Sequence, residues 1–141
     1  MYILDTDHLS LIQRGGIEGQ RILTRLAPLQ EDEIFVTVIS YEEQIKGWFK
    51  ALSTVKRPED TAFGYLGLQQ TARDFGVMNI LSFDLPAIEQ YETLRSIYRR
   101  LGKNDLKIAA IAIVQDAVLL TRNHKDFRQI TELKSEDWSV C

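Results

Sequence analysis

Met1-Tyr2-Ile3-Leu4-Asp5-Thr6-Asp7 begins the chain with a short apolar run that ends on acidic residues. An uninterrupted apolar run, here residues 2–4, is typical of a buried strand in a parallel sheet that is covered on both faces. In open α/β sheets, ligands bind just outside the carboxyl ends of the strands. Asp5 directly follows this predicted strand, so we consider it a candidate metal ligand or catalytic acid.

The composition is that of a single soluble domain spanning residues 1–141. Hydrophobic residues make up 45% of the chain and charged residues 26%, which is ordinary for a globular protein. The single cysteine, Cys141, is the last residue, which excludes an internal disulfide and indicates a reducing cytoplasm. We find no signal peptide pattern and no apolar run near the roughly 20 residues that a membrane span needs.

The charge balance limits the possible partners. The formal net charge is −3 and the isoelectric point is about 5.4. Proteins that coat nucleic acid through bulk electrostatics are usually basic, so the balance argues against that role. It does not exclude a nuclease, in which an acidic metal site offsets a local basic rim.

Strand-like and helix-like segments alternate along the chain. Strands are predicted at residues 2–4, 34–39, 78–83 and 117–120, with a short fifth strand near Leu133 or Trp138. Helices are predicted at about residues 6–14, 17–29, 40–52, 61–76, 85–101 and 104–114. The alternation predicts an α/β three-layer sandwich with a central, mainly parallel sheet of four or five strands. Right-handed crossovers place the carboxyl ends of all strands at one edge.

Several oxygen-bearing side chains are predicted to meet at that edge. Asp5 follows the first strand, and Glu43 lies in the first turn of the helix after the second. Asp105 begins the helix before the fourth strand, Asn123 follows that strand, and Asp126 comes three residues later. Three carboxylates and an amide oxygen suit Mg²⁺ or Mn²⁺ better than Zn²⁺. Such a cation activates water and neutralises charge that develops on a phosphate.

Helix capping is an alternative role for some of these residues. Ser40 and Glu43 form the S-x-x-E pattern of a capping box, in which Glu43 serves only the backbone. Asn104 or Asp105 could cap the next helix, because acids in a first turn suit the helix dipole.

Asp84 shows that a position after a strand is not decisive by itself. It also follows a predicted strand, but Pro86 and the helix that follows explain it as a cap. Asp5 is harder to explain as a cap, since Thr6 and Asp7 could each cap the next helix without it. We predict that Asp7 is such a cap.

The two histidines and the aromatic residues give weaker signals. His8 and His124 do not form an H-x-x-x-H pair, so the pattern does not favour zinc, and His124 is predicted to contact substrate or lie on the surface. Four aromatic residues are predicted to pack in the core or on a partner face, with base stacking as an alternative: Trp48, Phe49, Phe63 and Tyr65.

Basic residues are enriched near the candidate site. They surround Asp105 (Arg99, Arg100, Lys103 and Lys107) and Asn123 (Arg122, Lys125 and Arg128). A solvated surface of mixed charge is the simple explanation. The functional alternative is a cationic rim for RNA phosphates. The predicted substrate contacts are Arg100, Lys103, Lys107, Arg122 and His124.

Five segments, in order, are similar to one known family. They are I-L-D-T-D (3–7), V-I-S-Y-E-E-Q-I-K-G (38–47), N-D-L-K-I-A-A-I-A (104–112), L-L-T-R-N-H-K-D-F (119–127) and E-D-W (136–138). The chain resembles PIN-domain ribonucleases, and in particular VapC-type toxins of toxin–antitoxin pairs. The similarity covers nearly the whole chain.

The resemblance implies a three-layer α/β fold, Mg²⁺-dependent endonucleolytic RNA cleavage, homodimerisation and inhibition by a small VapB-like antitoxin. It implies metal-site roles for Asp5, Glu43 and Asp105. The fourth position of the family motif falls on Asn123, which is not an acid, so the site loses one negative charge. Asp126 could replace that charge or could only cap a helix.

Two functional hypotheses follow. The first is an endoribonuclease toxin in which Asp5 and Asp105 coordinate Mg²⁺, Glu43 completes the metal shell or orients water, and Asn123 supports metal, water or substrate. The alternative is a weakly active or inactive PIN-like module for RNA binding or dimerisation. A phosphatase of small phosphoesters is disfavoured, because the chain has no D-x-D-x-T motif.

Overall fold

Five strands and seven α-helices alternate along residues 1–141, all of which the computed structural model describes. The strands are β1 (Tyr2–Leu4), β2 (Ile34–Thr37), β3 (Ile80–Leu81), β4 (Val118–Leu120) and β5 (Lys134–Glu136). The helices are α1 (Thr6–Arg14), α2 (Ile17–Leu26), α3 (Val38–Ser53), α4 (Pro58–Gly76), α5 (Leu85–Ile97), α6 (Lys103–Val114) and α7 (His124–Phe127). A short 3-10 helix, Glu31–Glu33, precedes β2.

The five strands form one parallel sheet in the order β3-β2-β1-β4-β5. β1 is therefore the central strand, and Ile3 pairs with Phe35 of β2 and with Leu119 of β4. The chain builds β2 and β3 on one side of β1 and then β4 and β5 on the other. A reversal of this kind opens a crevice at the carboxyl ends of the two strands that flank it, here β1 and β4. The predicted α/β fold with a parallel five-stranded sheet is confirmed.

Helices cover both faces of this sheet. Ile3 and Leu119 point to a core of 16 buried residues that includes the inner faces of α5 and α6. Leu4 and Leu120 point to the other face, where α1 and α2 contribute to a core of nine buried residues. This alternation follows from the pleat of the strands, and it explains why both strands are apolar throughout.

Caps determine where the second strand and the third helix meet. β2 ends at Thr37, not at residue 39, because the Thr37 side chain accepts a hydrogen bond from the Ser40 backbone N–H (3.2 Å) and begins α3. Ser40 is thus inside the helix. Similarly, β3 has two residues where six were predicted. Gly15 ends α1 as predicted, with a left-handed backbone (φ 74°) that glycine adopts at little cost.

Two predicted helix ends are also wrong. α5 ends at Ile97 rather than near Gly102, since the chain leaves the helix at Tyr98 and packs Tyr98 and Leu101 against the core. Gly102 then occupies the cap position of α6, which begins at Lys103. α2 ends at Leu26, three residues early, just before Pro28. No helix is both long enough and apolar enough to cross a bilayer.

Candidate metal site

Asp5 lies at the carboxyl end of the central strand and is only 6% exposed. Its backbone N–H donates to the Leu120 carbonyl (3.1 Å), which continues the pairing of β1 with β4. Its Oδ1 accepts the backbone N–H of His8 (2.7 Å), so Asp5 caps α1. The expectation that Thr6 or Asp7 provides this cap is therefore wrong. One carboxylate oxygen of Asp5 serves the helix, and Oδ2 is not needed for capping.

Burial raises the pKa of the Asp5 carboxyl to about 7. The charges of Asp7 and Asp105 raise this pKa further, whereas the Thr121 hydroxyl and the His8 backbone N–H lower it. The pKa of this one carboxyl is thus raised by burial and negative charge and lowered by hydrogen bonding. The ionised form of Asp5 is desolvated and crowded by other acids, so it is poised to gain from a bound cation.

Asp105 lies in the first turn of α6 and is also crowded by other acids. Gly102 is the cap residue of this helix, and no side chain makes a cap hydrogen bond there. Capping by Asn104 or Asp105 is therefore not observed. Burial raises the pKa of Asp105, and the charges of Glu43 and Asp126 add to the effect. Five acids thus influence one another at a single edge of the sheet: Asp5, Asp7, Glu43, Asp105 and Asp126.

Glu43 is held by a hydroxyl rather than by a capping box. The Thr6 hydroxyl donates to Oε1 of Glu43 (2.6 Å) and lies 2.9 Å from the Ser40 hydroxyl oxygen. The alternative role of Glu43 as a capping-box residue is therefore wrong, because α3 begins earlier and is capped by Thr37. Thr6 links the first turn of α1 to Glu43, and sequence reasoning considered it only as a cap.

Thr121 is a second residue that the sequence analysis missed. It is fully buried and follows Leu120, which pairs with Leu4, so it lies beside Asp5 in the sheet. Its hydroxyl lowers the pKa of Asp5 and accepts the Asn123 backbone N–H (2.9 Å). Asn123 itself is half-buried at the start of α7, and its side chain makes no cap hydrogen bond. The parallel pairing of β1 with β4 places Thr121 next to Asp5, and this pairing is the signal that could have identified Thr121.

The side chain of Arg122 is already engaged with two acids. Its guanidinium donates to both oxygens of Asp7 (2.6 and 2.9 Å) and to Glu18 (2.8 Å). Asp7 is therefore an ion-pair partner and not the predicted cap. This bridge joins the segment after β4 to the first turns of α1 and α2, and it places Arg122 in a structural role in addition to its predicted substrate contact.

The other predicted substrate contacts divide into two groups. The Lys107 ammonium lies over the rings of Phe83 (5.9 Å) and Tyr91 (5.8 Å). The His124 Nδ1 is 3.0 Å from the Ser135 hydroxyl. Arg100 and Lys103, by contrast, are exposed and have no acidic partner within 4.0 Å.

The donor set fits a hard divalent cation. No lysine or arginine lies within 4.0 Å of Asp5, Glu43 or Asp105, so their charges are not compensated by the protein. Carboxylate and amide oxygens are the ligands that Mg²⁺ and Mn²⁺ prefer. Clustered, partly buried carboxylates without a counter-charge are costly unless a cation binds between them.

A second possible cation cluster, formed by Asp5, Asp7 and His8, is less suitable. One ligand atom from each of these residues lies within 4.8 Å of the others. However, both oxygens of Asp7 bind Arg122, and Nε2 of His8 accepts the Trp138 backbone N–H. The side chains of Asp7 and His8 are thus already bound to other groups of the protein.

Comparison with known proteins identifies the family. The sequence profile of the PIN domain family matches residues 2–133. The chain belongs to the PIN domain family. Two curated relatives of this PIN domain are the ribonuclease VapC1 proteins of Haemophilus influenzae strains R2866 and Rd, at 31% and 30% identity. Each alignment covers 99% of this chain and 98% of the relative.

Solved structures agree with this assignment. A chain in the structure of VapBC-1 from nontypeable Haemophilus influenzae superimposes with a TM-score of 0.75 at 28% identity, covering 99% of this PIN domain and 98% of that chain. A chain in the structure of VapBC2 from Rickettsia felis, bound to a promoter DNA fragment, superimposes with a TM-score of 0.72 at 27% identity. The superposition covers 97% of this PIN domain and 98% of that chain.

Three aromatic side chains on α3 and α4 are exposed. Phe49, Phe63 and Tyr65 are each more than half exposed, so the expectation that they fill the core is wrong. Trp48 is half-buried, with its indole N–H on Thr71 (3.0 Å) and its ring against Phe63 (5.8 Å between centroids). Of these four residues, Trp48 and Phe63 border a groove of about 640 Å³ between α1, α3 and α4. Their placement on a partner face stays a prediction.

Proposed function

We propose that this PIN domain is a divalent-metal-dependent endoribonuclease that acts as the toxin of a toxin–antitoxin pair. One observation supports this proposal above the others. Asp5 and Asp105 converge without a counter-charge at the crevice between β1 and β4, with Glu43 near Asp105, in a chain whose full-length relatives are VapC ribonucleases. We expect residues 1–141 to act as one domain, in the cytoplasm.

The proposed cation is Mg²⁺, with Mn²⁺ as a substitute. Asp5 and Asp105 bind it directly, and Glu43 completes its shell or orients the attacking water. When bound, the cation supplies an activated water and neutralises charge on the phosphate that is cleaved. Asn123 supports the metal, the water or the substrate through its carbonyl oxygen. Asp126 supplies the negative charge that Asn123 lacks, since its charge raises the pKa of Asp105.

Other residues of the chain prepare this site. Thr6 holds Glu43 in one orientation through its 2.6 Å hydrogen bond, and the Thr121 hydroxyl lowers the pKa of Asp5. Arg100 and Lys103 are exposed cations without acidic partners, which suits contact with RNA phosphates. Lys107, Arg122 and His124 reach RNA only if they leave or share their present partners.

We propose a VapB-like antitoxin as the protein partner, because the structural neighbours include VapBC structures. The groove between α1, α3 and α4, with Phe63 and Leu66 exposed on its border, offers the apolar surface that a partner segment needs. We also expect a homodimer.

The test is RNA cleavage by protein freed of antitoxin, in Mg²⁺ and in EDTA, with wild type, Asp5→Asn and Asp84→Asn. We expect cleavage only in Mg²⁺ and only with wild type and Asp84→Asn. Asn is as good an N-cap as Asp, so both variants keep their helices. Equal cleavage by wild type and Asp5→Asn would refute the proposal.

A second candidate is an RNA-binding or dimerisation module without catalysis. The observation that favours it is Asn123, which occupies the fourth, variable position of the family motif and is not an acid. RNA binding that persists without any cleavage in Mg²⁺ or Mn²⁺ would support this alternative over the nuclease.

A further inference from the structure

His8 lies completely buried on α1, one turn after the metal-site residue Asp5. Its ring contacts two different parts of the protein. Nε2 accepts the backbone N–H of Trp138 (3.1 Å), and Nδ1 lies 3.8 Å from Oδ1 of Asp5. Oδ1 of Asp137 lies 3.7 Å from Nε2, but this oxygen already accepts the backbone N–H and the hydroxyl of Ser139. The ring thus stands between the C-terminal segment and the candidate metal site.

The contact with Trp138 defines the tautomer of this ring. A nitrogen that accepts an N–H carries no hydrogen itself, so Nε2 is the unprotonated nitrogen. The one ring hydrogen is therefore on Nδ1 and faces Asp5.

This Nδ1–H has no partner in the structure. Nδ1 is the one buried side-chain nitrogen or oxygen that makes no hydrogen bond. A buried donor without an acceptor is costly, so each such group calls for an explanation. Its separation of 3.8 Å from Oδ1 of Asp5 is slightly beyond hydrogen-bond length, and a small movement of either side chain closes it.

We propose that His8 is a positioning residue for Asp5, whose Nδ1–H and backbone N–H together hold Oδ1 and so direct Oδ2 to the cation. The backbone N–H already makes this contact at 2.7 Å. Partners of this kind fix the orientation of a metal ligand, and losing one typically reduces metal affinity about 10- to 100-fold. The inference rests on the proposed metal site.

The C-terminal segment keeps the ring in this orientation. Trp138 is buried, its ring packs 4.9 Å from Tyr2, and the Arg25 guanidinium lies 4.5 Å from the same ring. This packing fixes the N–H that binds Nε2. The segment after β5 therefore acts on the metal site through His8, although it contributes no ligand.

Two matched variants test the contacts of Nδ1 and Nε2 separately. In His8→Asn, the amide nitrogen replaces Nδ1 and the acceptor for Trp138 is lost. In His8→Gln, the longer side chain offers an acceptor near the position of Nε2 and loses the donor to Asp5. We expect His8→Asn to bind Mg²⁺ within about threefold of wild type but to melt at a lower temperature. We expect His8→Gln to melt near wild type and to bind Mg²⁺ about 10-fold more weakly.

Calorimetric titration of antitoxin-free protein with MgCl₂ measures the affinity, and thermal denaturation in EDTA measures the stability. Full Mg²⁺ affinity in His8→Gln, or affinity losses that simply follow stability in both variants, would overturn the inference. If wild type itself binds no Mg²⁺, the proposed metal site fails and His8 has no ligand to position.

NMR of the wild-type ring nitrogens tests the geometry without variants. In metal-free protein we expect a protonated Nδ1 and an unprotonated Nε2 on His8. On addition of Mg²⁺, we expect the Nδ1 proton to shift downfield as it forms the hydrogen bond to Asp5. A hydrogen on Nε2 in the metal-free protein would overturn the inference.

Discussion

The carboxyl ends of β1 and β3 carry the same kind of residue in very different surroundings. Asp5 and Asp84 both follow a strand, and both cap a helix by accepting the backbone N–H three residues later, at 2.7 Å from His8 and 3.2 Å from Ala87. β1 is the central strand, however, and β3 is at the edge of the sheet. Asp5 is buried beside other acids, whereas Asp84 is exposed.

The cap at Asp5 uses only Oδ1, so capping is compatible with the proposed metal binding. A carboxylate has two oxygens, and a cap uses only one of them. A position after a strand is therefore not the decisive property of a site residue. The decisive property is convergence with other uncompensated acids, which the central strand provides and the edge strand does not.

The largest expected difference between the two positions is in catalysis. We expect Asp5→Asn to reduce RNA cleavage in Mg²⁺ by at least about 1,000-fold, because a bound cation supplies several kcal/mol to the transition state. Asp84→Asn is expected to stay within about twofold of wild type, since the same cap is kept. Single-turnover cleavage of a fluorescent RNA measures both. A similar loss in the two variants would mean that capping alone explains Asp5.

The next difference is in stability and its dependence on pH. The pKa of Asp5 is raised to about 7 in the folded protein, above the ordinary value of 3.8. Asp5 therefore carries no penalty for folding below about pH 4, and the stability of the protein falls as the pH rises from about 4 to about 7. In EDTA, we expect Asp5→Asn to be more stable than wild type by a few kcal/mol at pH 8 and equal to it at pH 4.

Denaturant unfolding at several pH values measures this difference. Asp84→Asn provides the control, because it makes the same substitution at an exposed cap position. A wild type that is more stable than Asp5→Asn in EDTA at pH 8 would contradict the description of Asp5 as a crowded, desolvated carboxylate.

A smaller effect is expected at Thr6, which extends the comparison to the hydroxyl that supports Glu43. Thr6→Val keeps the shape of the side chain but removes the 2.6 Å hydrogen bond to Oε1. We expect cleavage to fall about 10-fold, the equivalent of a lost hydrogen bond to a charged group. Thr6→Ser keeps the hydroxyl and should retain activity within about threefold. Equal rates for the two variants would exclude this role.

The smallest effect concerns the cap at the edge strand. Asp84→Ala removes the hydrogen bond to the Ala87 backbone N–H, and we expect it to cost about 1 kcal/mol of unfolding free energy. RNA cleavage should be unchanged below the melting temperature. Thermal denaturation and a cleavage assay at 25 °C check the two statements, and a loss of activity would mean that β3 also contributes to the site.

The sequence predicted the architecture well because its signals are local. Apolar β1 and β4, the glycine at the end of α1 and the alternation of elements were sufficient to predict a parallel sheet. The convergence of Asp5 and Asp105 followed from the rule that crossovers are right-handed. Boundaries were less certain, because Thr37 and Ser40 are both good caps and only the backbone decides between them.

The roles of individual polar residues could not be predicted in the same way. Asp5, Thr6 and Asp7 are all good cap residues, and the extended backbone at Asp5 (φ −72°, ψ 172°) selects the first. The bond of Arg122 to Asp7 joins residues that are 115 positions apart. Such contacts depend on side-chain geometry across the fold, which no local pattern encodes.

The most direct test of the metal site is a crystal structure of the antitoxin-free protein with Mn²⁺, examined for anomalous scattering. We predict one peak at the carboxyl end of β1, with oxygens of Asp5 and Asp105 as its protein ligands and Glu43 facing it. A peak bound by Asp7 and His8, or no peak near Asp5 at saturating Mn²⁺, would contradict the account.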